Sequence, residues 1–425
     1  MRVQLERGEP LRFETRVPSD KSITHRALIL GAISRGETIV RHGLPSRDCL
    51  ATYQILGQLG VELNWQPDHT IRIMGGRLQE SATVLDCQNS GTTMRLLAGL
   101  LAGQNFYSVL TGDASLNSRP MARIMEPLGA MGGQLYGRGG NKYPPLTIVG
   151  SSLWALDSYL LPVASAQLKS ALLLAGLFAR GTTTIIEPAQ SRDHTERMLL
   201  DFGAPLSKEG DTLQIHSGEL VGREVKVPGD FSSAAFLIAS ALIVPGSQVL
   251  LRDVGLNPTR IGLLTVLKKM GAKIQIQNRR NWGSEPVGDI FVQASQLSGT
   301  EVCGKIVPLL IDELPALAAV ATQAQGTTII RDAGELRVKE SDRIGALCRE
   351  LGRLGAQVEE FPDGLVIHGG RPLVGAQVES YGDHRIAMAM AVAGLAAQGT
   401  TEILDPLCVE ISFPNFWQFF GKNRK

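Results

Sequence analysis

Residues 17–32 read VPSDKSITHRALILGA, and residues 227–241 read VPGDFSSAAFLIASA. Both are V-P-x-D-x-S followed by an apolar run. Proline biases the residue before it toward extended backbone and aspartate is a strong helix N-cap, so each copy reads as an extended segment turning into a capped helix. The first copy carries Lys21, His25 and Arg26 where the second carries Phe231, Ala235 and Phe236. A shared opening with charges on one copy only separates what the scaffold needs from what a site needs.

Working outward, the run after the first copy belongs to a pattern that recurs along the chain: an Ala/Leu-rich helix, a glycine, then a β-branched strand. It appears as ALILGAISRGETIV (27–40), ALLLAGLFARGTTTII (171–186) and ALAAVATQAQGTTII (316–330), and again at 96–112, 237–251 and 389–404. A second pattern follows most of these, a helix ending in a glycine turn and an alternating strand, as in LGQLGVELNW and LGRLGAQVEE. The glycine suits a left-handed helix C-cap, and the alternation gives a sheet with one buried face. Each repeat of about 70 residues is then helix, strand, helix, strand, and six repeats form two groups of three. The first helix of each repeat is apolar nearly all round and should be buried.

The two V-P-x-D segments open the first and fourth repeats. Residues 1–16 fall outside the first triplet, and the last repeat ends in a shortened helix, FPNFWQFFGKNRK. The N-terminal strand is therefore expected to complete the C-terminal domain. That gives a discontinuous domain of 1–19 plus 229–425 around an inserted domain of 20–228, with the V-P-x-D segments as crossings. Two sequential domains joined by a simple linker are the alternative.

Composition excludes several function classes. The 425 residues are 44% hydrophobic and 20% charged, ordinary for a globular chain with more than one core. The 42 basic and 41 acidic residues nearly cancel, so no global field recruits nucleic acid or a membrane surface, and any anion site must be local. Five scattered cysteines, without a C-x-x-C pair, support neither a disulfide framework nor a zinc site and fit a reducing cytoplasm. The N-terminus has no apolar leader, and the apolar runs are interrupted before membrane-spanning length. No G-x-x-x-x-G-K-[ST] or G-x-G-x-x-G motif follows a strand, and GRGGNKYPP (137–145) reads as a hairpin turn.

Cations at helix starts carry the functional signal, because a helix N-terminus is already partly positive and a Lys or Arg there is unfavourable without an anion. Lys21 and Arg26 flank the first start. NSGTTMRLL (89–97) places Gly91 at the second with Arg95 one turn in, Arg119 lies in DASLNSRPM, Ser165 and Gln167 open the third helix, and Arg192 sits in QSRDHTERML. In the second half, Asp312 and Glu313 precede one apolar helix, LRVKESDR packs Lys339, Glu340, Asp342 and Arg343, and Asp383, His384 and Arg385 precede another. One such run is an ordinary capped turn; six at equivalent helix starts favour one shared site for a small, multiply anionic ligand. Asp312 and Glu340, kept ionised by their cationic neighbours, could move protons.

These motifs, in order SDKSITHR, NSGTTMR, GDASLNSRPM, ASAQLKS, RDHTER, NPTR, LRVKESDR, GDHRIAM and SFPNF, closely resemble the 5-enolpyruvylshikimate-3-phosphate synthase family over essentially the whole chain, and its class II branch in particular. The resemblance implies an α/β (α+β) two-domain inside-out barrel, the enolpyruvyl transferase fold, with six βαβαββ repeats, three per domain, and an active site in the interdomain cleft. It implies that the 5-hydroxyl of 3-phosphoshikimate adds to C2 of phosphoenolpyruvate and that phosphate then leaves, a shikimate-pathway step toward chorismate and the aromatic amino acids. No cofactor or metal is implied, and the family's usual state is a cytoplasmic monomer.

The resemblance also assigns roles. Lys21, Ser22, Arg26, Ser165, Ala166, Gln167, Arg192, Asp312 and Lys339 would bind 3-phosphoshikimate. Lys21, Gly91, Arg119, Gln167, Arg343 and Arg385 would bind phosphoenolpyruvate, where bidentate arginines match carboxylate and phosphate. Asp312 would be the base on the 5-hydroxyl, with Glu340 and Lys21 the candidates for protonating C3. Two positions depart from many members: Ala166 replaces a second serine, leaving Arg192 to compensate, and Ile411 replaces a class I lysine. Gly91 is associated with room for the inhibitor glyphosate and the class II branch with tolerance, which point opposite ways. The rival, UDP-N-acetylglucosamine enolpyruvyl transfer, uses a cysteine in the loop equivalent to GDASLNSRPM, and no cysteine lies between Cys87 and Cys303.

Overall fold

The repeats resolve into six sheets, three in each of two compact units, in a computed structural model that describes residues 1–420. One unit comprises Ser19–Val227 with Asn281–Glu285; the other comprises Met1–Pro18, Pro228–Arg280 and the chain from Pro286 onward. Each has its own hydrophobic core.

The repeat is plainest at residues 159–216. A short strand, Tyr159–Leu160, leads into the Ala166–Gly176 helix, and the chain returns parallel to the first strand as Thr182–Ile186. The His194–Asp201 helix then delivers the hairpin Leu206–Glu209 and Thr212–His216, whose second strand pairs antiparallel with Thr182–Ile186. The result is βαβαββ: the glycine-turn pattern of the sequence is the second helix and hairpin, and the parallel edge strand is the part the pattern leaves unmarked.

Leu85–Asp86, Tyr107–Thr111, Gln134–Gly137 and Tyr143–Val149 repeat this order. The third sheet of this unit, built on Ser34–Arg41, takes its parallel edge from Leu220–Val221 and Glu224–Lys226 at the unit's far end. In the other unit the N-terminus fills the gaps: Arg12–Arg16 runs parallel to Gln248–Gly255, and Arg2–Leu5 pairs antiparallel with Thr401–Leu404. The fold is of the α/β class, and among the described residues five of the six repeats complete the βαβαββ order; the last, Gln377–Glu379, His384–Ala396 and Thr401–Leu404, ends without a second hairpin, and Arg2–Leu5 is the third strand of its sheet.

The first helix of every repeat is buried along most of its length, as its all-round apolar composition requires; Phe231–Ile243 is buried from Phe231 to Leu242. Helices with no polar face must pack on one another and on the inner faces of the sheets. At Gly99 the Gly91–Ala102 helix meets its neighbour backbone to backbone, since a Cβ there would lie 2.1 Å from the Ala171 carbonyl oxygen.

The five residues Asn281–Glu285 are the tip of a hairpin, and their side chains explain why they group with Ser19–Val227. The Lys226 ammonium lies over the Trp282 ring at 3.7 Å from its centroid. Arg197 donates to the Ser284 carbonyl (2.9 Å), Ser284 N–H to Asp201 (3.0 Å), and His194 Nδ1 pairs with Glu285 Oε1 at 2.7 Å. The chain thus passes from one unit to the other four times rather than at the two V-P-x-D segments alone.

Candidate active site

In the unit of Ser19–Val227, Asp20 caps the Lys21–Ile33 helix by accepting from Ile23 N–H at 2.9 Å. Lys21 is therefore the first helical residue, and its ammonium lies 2.9 Å from Asp48 Oδ2, in the first turn of the Arg47–Gln58 helix. That counter-charge offsets the unfavourable placement of a cation at a helix N-terminus. Ser22 is half-buried beside it. Arg26, one turn on, is buried: Nε donates to Thr195 Oγ1 (2.6 Å), Nη2 to Ser170 Oγ (2.9 Å) and Nη1 to the Ser22 carbonyl (2.9 Å).

His25 differs from its place in the sequence reading, where it counts among the charges. It is wholly buried with Nδ1 against Thr52 Oγ1 at 2.8 Å, and burial pushes its pKa down to about 3, outweighing the pull of Asp48. The first V-P-x-D-x-S copy thus presents two cations and one neutral core imidazole.

The second and third helix starts are tied together. Ser90 caps Gly91–Ala102, accepting from Thr93 N–H at 3.1 Å, and Ser165 caps Ala166–Gly176, accepting from Leu168 N–H at 3.4 Å. Arg95 Nη1 donates to Gln167 Oε1 (2.8 Å), and Gln167 Nε2 donates to Thr92 Oγ1 (3.0 Å). Arg119 is oriented by Asn89 Oδ1 (2.7 Å) and Ser115 Oγ (3.3 Å). A Cβ on Gly91 would stand 2.6 Å from Arg95 Nη1 and 3.4 Å from Arg119 Nη1, so the missing side chain is what lets two guanidinium groups gather over this helix end. Ala166 is the first residue of its helix, and Arg192 is half-buried ahead of the His194–Asp201 helix.

The other unit centres on Arg343, whose side chain is wholly buried. Its Nε donates to Asp383 Oδ2 (2.8 Å), and its Nη2 to Glu340 Oε2 (2.6 Å) and Asp383 Oδ1 (3.2 Å). Burial alone would lower the Arg343 pKa, but Asp383 and Glu340 raise it beyond the ordinary arginine range. Burial likewise favours neutral Asp383, and the Arg343 charge overcomes it, holding the carboxyl below the usual aspartate range. Asp383 also caps the His384–Ala396 helix, accepting from Arg385 N–H at 2.9 Å. Asp312, mostly buried, pairs with Arg385 Nη1 and has Arg343 Nη1 at 3.5 Å and Lys339 Nζ at 4.0 Å. Asp312, Lys339, Glu340, Arg343 and Arg385 thus form one charge cluster.

The second V-P-x-D-x-S copy is not simply packing. Asp230 caps Phe231–Ile243, and Arg260 Nη2 reaches both Asp230 Oδ1 (3.1 Å) and Ser232 Oγ (2.8 Å). Ser232 in turn donates to the buried carboxylate of Glu313, next to Asp312. The serine shared by both copies carries a polar chain here. Ile411 packs against its unit's core.

Of the counter-charges, Asp48 was missed by the sequence analysis, and the available signal was charge arithmetic: a Lys21 at a helix start requires a carboxylate. Asp383 was named with its run, but not its pairing with the buried Arg343. Thr195 and Ser170, which hold Arg26, carried no signal.

Among the described residues no group of three or more His, Cys, Asp or Glu is placed to hold a metal ion, and no helix is long and apolar enough to cross a membrane. All five cysteines are free, and burial pushes the Cys49 thiol up to about 12.

Comparison with known proteins agrees with this architecture. The family described as EPSP synthase (3-phosphoshikimate 1-carboxyvinyltransferase) matches residues 5–420. The 3-phosphoshikimate 1-carboxyvinyltransferase of Desulforudis audaxviator is 53% identical over 420 residues, covering 98% of both chains. The solved EPSP synthase from Acinetobacter baumannii superposes with a TM-score of 0.88 at 43% identity, covering 98% of this chain and 97% of that one. The enolpyruvyl transferase NikO from Streptomyces tendae, at 17% identity, shares the fold with a TM-score of 0.81 over 98% of this chain and 96% of its own. With repeats, motifs and relatives in agreement over nearly the full length, the chain belongs to the EPSP synthase (3-phosphoshikimate 1-carboxyvinyltransferase) family, in the enolpyruvyl transferase fold.

Proposed function

We propose that the residues gathered at these helix starts carry out the reaction of the family. The chain transfers the carboxyvinyl group of phosphoenolpyruvate to the 5-hydroxyl of 3-phosphoshikimate, giving 5-enolpyruvylshikimate 3-phosphate and phosphate. The observation that carries the residue assignment is the cluster around Arg343, where Asp312 lies against Arg385 and near Lys339. Arginines held by buried carboxylates are fixed in place before any ligand arrives, which is the preorganisation that anion binding at a reacting centre requires.

Asp312 takes the proton of the 5-hydroxyl as that oxygen bonds to C2 of phosphoenolpyruvate, and C3 receives a proton from Lys21 or Glu340. The tetrahedral intermediate then loses a proton from C3 and its C2–O bond to phosphate, which departs with the bonding pair. Arg119, beside Gly91 in one unit, and Arg343 and Arg385 in the other hold the phosphoenolpyruvate carboxylate and phosphate, as do Gln167 and Lys21. Lys21, Ser22, Arg26, Ser165, the Ala166 helix start, Gln167, Arg192 and Lys339 hold 3-phosphoshikimate. Arg26 gives three of its five donors to Thr195, Ser170 and Ser22, so its part is to fix the helix start as much as to touch substrate. Free thiols suit the reducing cytoplasm.

The test is phosphate release from phosphoenolpyruvate with 3-phosphoshikimate as acceptor, run beside UDP-N-acetylglucosamine. Turnover with 3-phosphoshikimate alone is the expected result, and turnover with only the nucleotide sugar would overturn it.

A further inference from the structure

The segment Ser191–Arg197 is held by hydrogen bonds and ion pairs along most of its length. Ser191 donates through N–H (3.1 Å) and Oγ (2.6 Å) to Glu187 Oε1, closing a four-residue loop on a carboxylate. The same oxygen accepts from Lys169 Nζ at 2.9 Å, and Lys169 also pairs with Glu196 Oε1 at 2.6 Å. Asp193 pairs with Arg197 (2.9 Å), His194 with Glu285 (2.7 Å), and Thr195 with Arg26 (2.6 Å). In the middle stands half-buried Arg192.

The Lys169, Glu187 and Glu196 side chains are 0%, 1% and 5% exposed, so two carboxylates and one ammonium share a buried site. Burial pushes the Glu196 carboxyl up, with Lys169 opposing the shift. Such clusters are seldom the most stable filling of a core, because desolvation of the ions offsets their attraction and apolar side chains of equal volume serve as well or better. Stability alone therefore does not account for it. What the cluster does is fix the loop that ends at Ser191, and an arginine on a fixed backbone loses less freedom when it closes on a phosphate.

We infer that Glu187, through Ser191 and anchored by Lys169, is a positioning residue that sets Arg192 for the 3-phosphate of 3-phosphoshikimate. The inference rests on the reading of Arg192 as a contact of that phosphate. Glu187 itself touches no substrate.

The experiment is steady-state kinetics with each substrate varied, on Glu187→Ala, Ser191→Ala, Glu187→Gln, Arg192→Ala and the double variant Glu187→Ala/Arg192→Ala, with melting temperature followed in parallel. Loss of the loop closure should raise KM for 3-phosphoshikimate about tenfold or more in Glu187→Ala and several-fold in Ser191→Ala, since misplacement of a contact by about 1 Å weakens it to that degree. KM for phosphoenolpyruvate should move less than about twofold. Glu187→Gln, whose amide oxygen still accepts from Ser191, should recover most of the loss. In the Arg192→Ala background the Glu187→Ala effect should vanish, as coupling through one contact demands and a general structural defect would not produce. Ser191→Ala removes only a hydroxyl and keeps the test available should Glu187→Ala fail to fold. Equal rises in both KM values, or full additivity in the double variant, would overturn the positioning role while leaving the phosphate contact standing. An Arg192→Ala chain with unchanged KM for 3-phosphoshikimate would overturn the phosphate contact, and the inference with it.

Discussion

Replacing Asp383 with Asn removes one charge from the most deeply buried ion pair of the Arg343 charge cluster while keeping the side-chain shape. Asp383 binds Arg343 through two contacts of 2.8 and 3.2 Å and caps Arg385 N–H at 2.9 Å. Removing one partner of a buried pair costs about 3–5 kcal/mol because the remaining charge is left uncompensated. Arg343 still has Glu340 at 2.6 Å and Asp312 at 3.5 Å, and the asparagine carbonyl can retain the cap and one guanidinium contact, so the loss should fall to about 2–3 kcal/mol.

The pH dependence has a definite sign. Asp383 titrates lower folded than unfolded, so its stabilisation is complete above the unfolded aspartate value of about 3.9 and is lost as pH falls through the lower folded value. Urea unfolding followed by circular dichroism should show a gap between wild type and Asp383→Asn that is constant from about pH 8 to about pH 5 and shrinks below about pH 3.9. KM for phosphoenolpyruvate should rise alongside, since Arg343 and Arg385 both lean on this carboxylate. A stability loss under about 1 kcal/mol at neutral pH, or a gap that widens on acidification, would refute the reasoning.

Lys21→Met should lower kcat/KM by about a thousandfold or more while shifting stability by less than about 1 kcal/mol, because the Lys21–Asp48 pair is partly solvated; near-normal turnover would remove Lys21 from the chemistry. Gly99→Ala should cost about 3 kcal/mol or more, or prevent folding, because its Cβ would meet Ala171 backbone at 2.1 Å, and a stable variant would mean the two helices can separate. His25, with a folded value of about 3, favours the neutral form, so its contribution is whole above the ordinary histidine value of about 6.5 and declines as pH falls below it. Its ring resonances should stay at neutral positions down to about pH 5, and a midpoint near 6.5 would show that the ring is solvated.

The scaffold was legible because helices without a polar face and glycine-capped turns leave a mark that repeats: six buried helices and six sheets follow from it. The edge strands left no such mark. Leu220–Val221 and Tyr159–Leu160 are two residues long, too short for any alternation to register. The hairpin tip at Asn281–Glu285 was opaque for another reason, since its partners Lys226, His194 and Arg197 are remote in sequence and sequence pattern reports only local period.

In the site, the cations were legible because charge at an apolar helix start is anomalous on its face. Their pairings were not, because Asp48 and Ser170 are residues that any turn or helix might carry, and Asp383, although named with its run, gives no local sign of its bond to Arg343. The same limit explains His25 and the second V-P-x-D-x-S copy. Burial decides whether an imidazole is charged, and only the fold shows that Arg260 returns to Asp230 and Ser232.

The central claim is transfer of an intact carboxyvinyl group by addition and elimination, and running the reaction in deuterium oxide tests it most directly. Protonation of C3 from solvent-exchanged Lys21 or Glu340 makes a methyl group that then loses one of three hydrogens, so the vinyl carbon of 5-enolpyruvylshikimate 3-phosphate should carry deuterium by NMR. Phosphate released with 3-phosphoshikimate consumed and no deuterium at that carbon would contradict it.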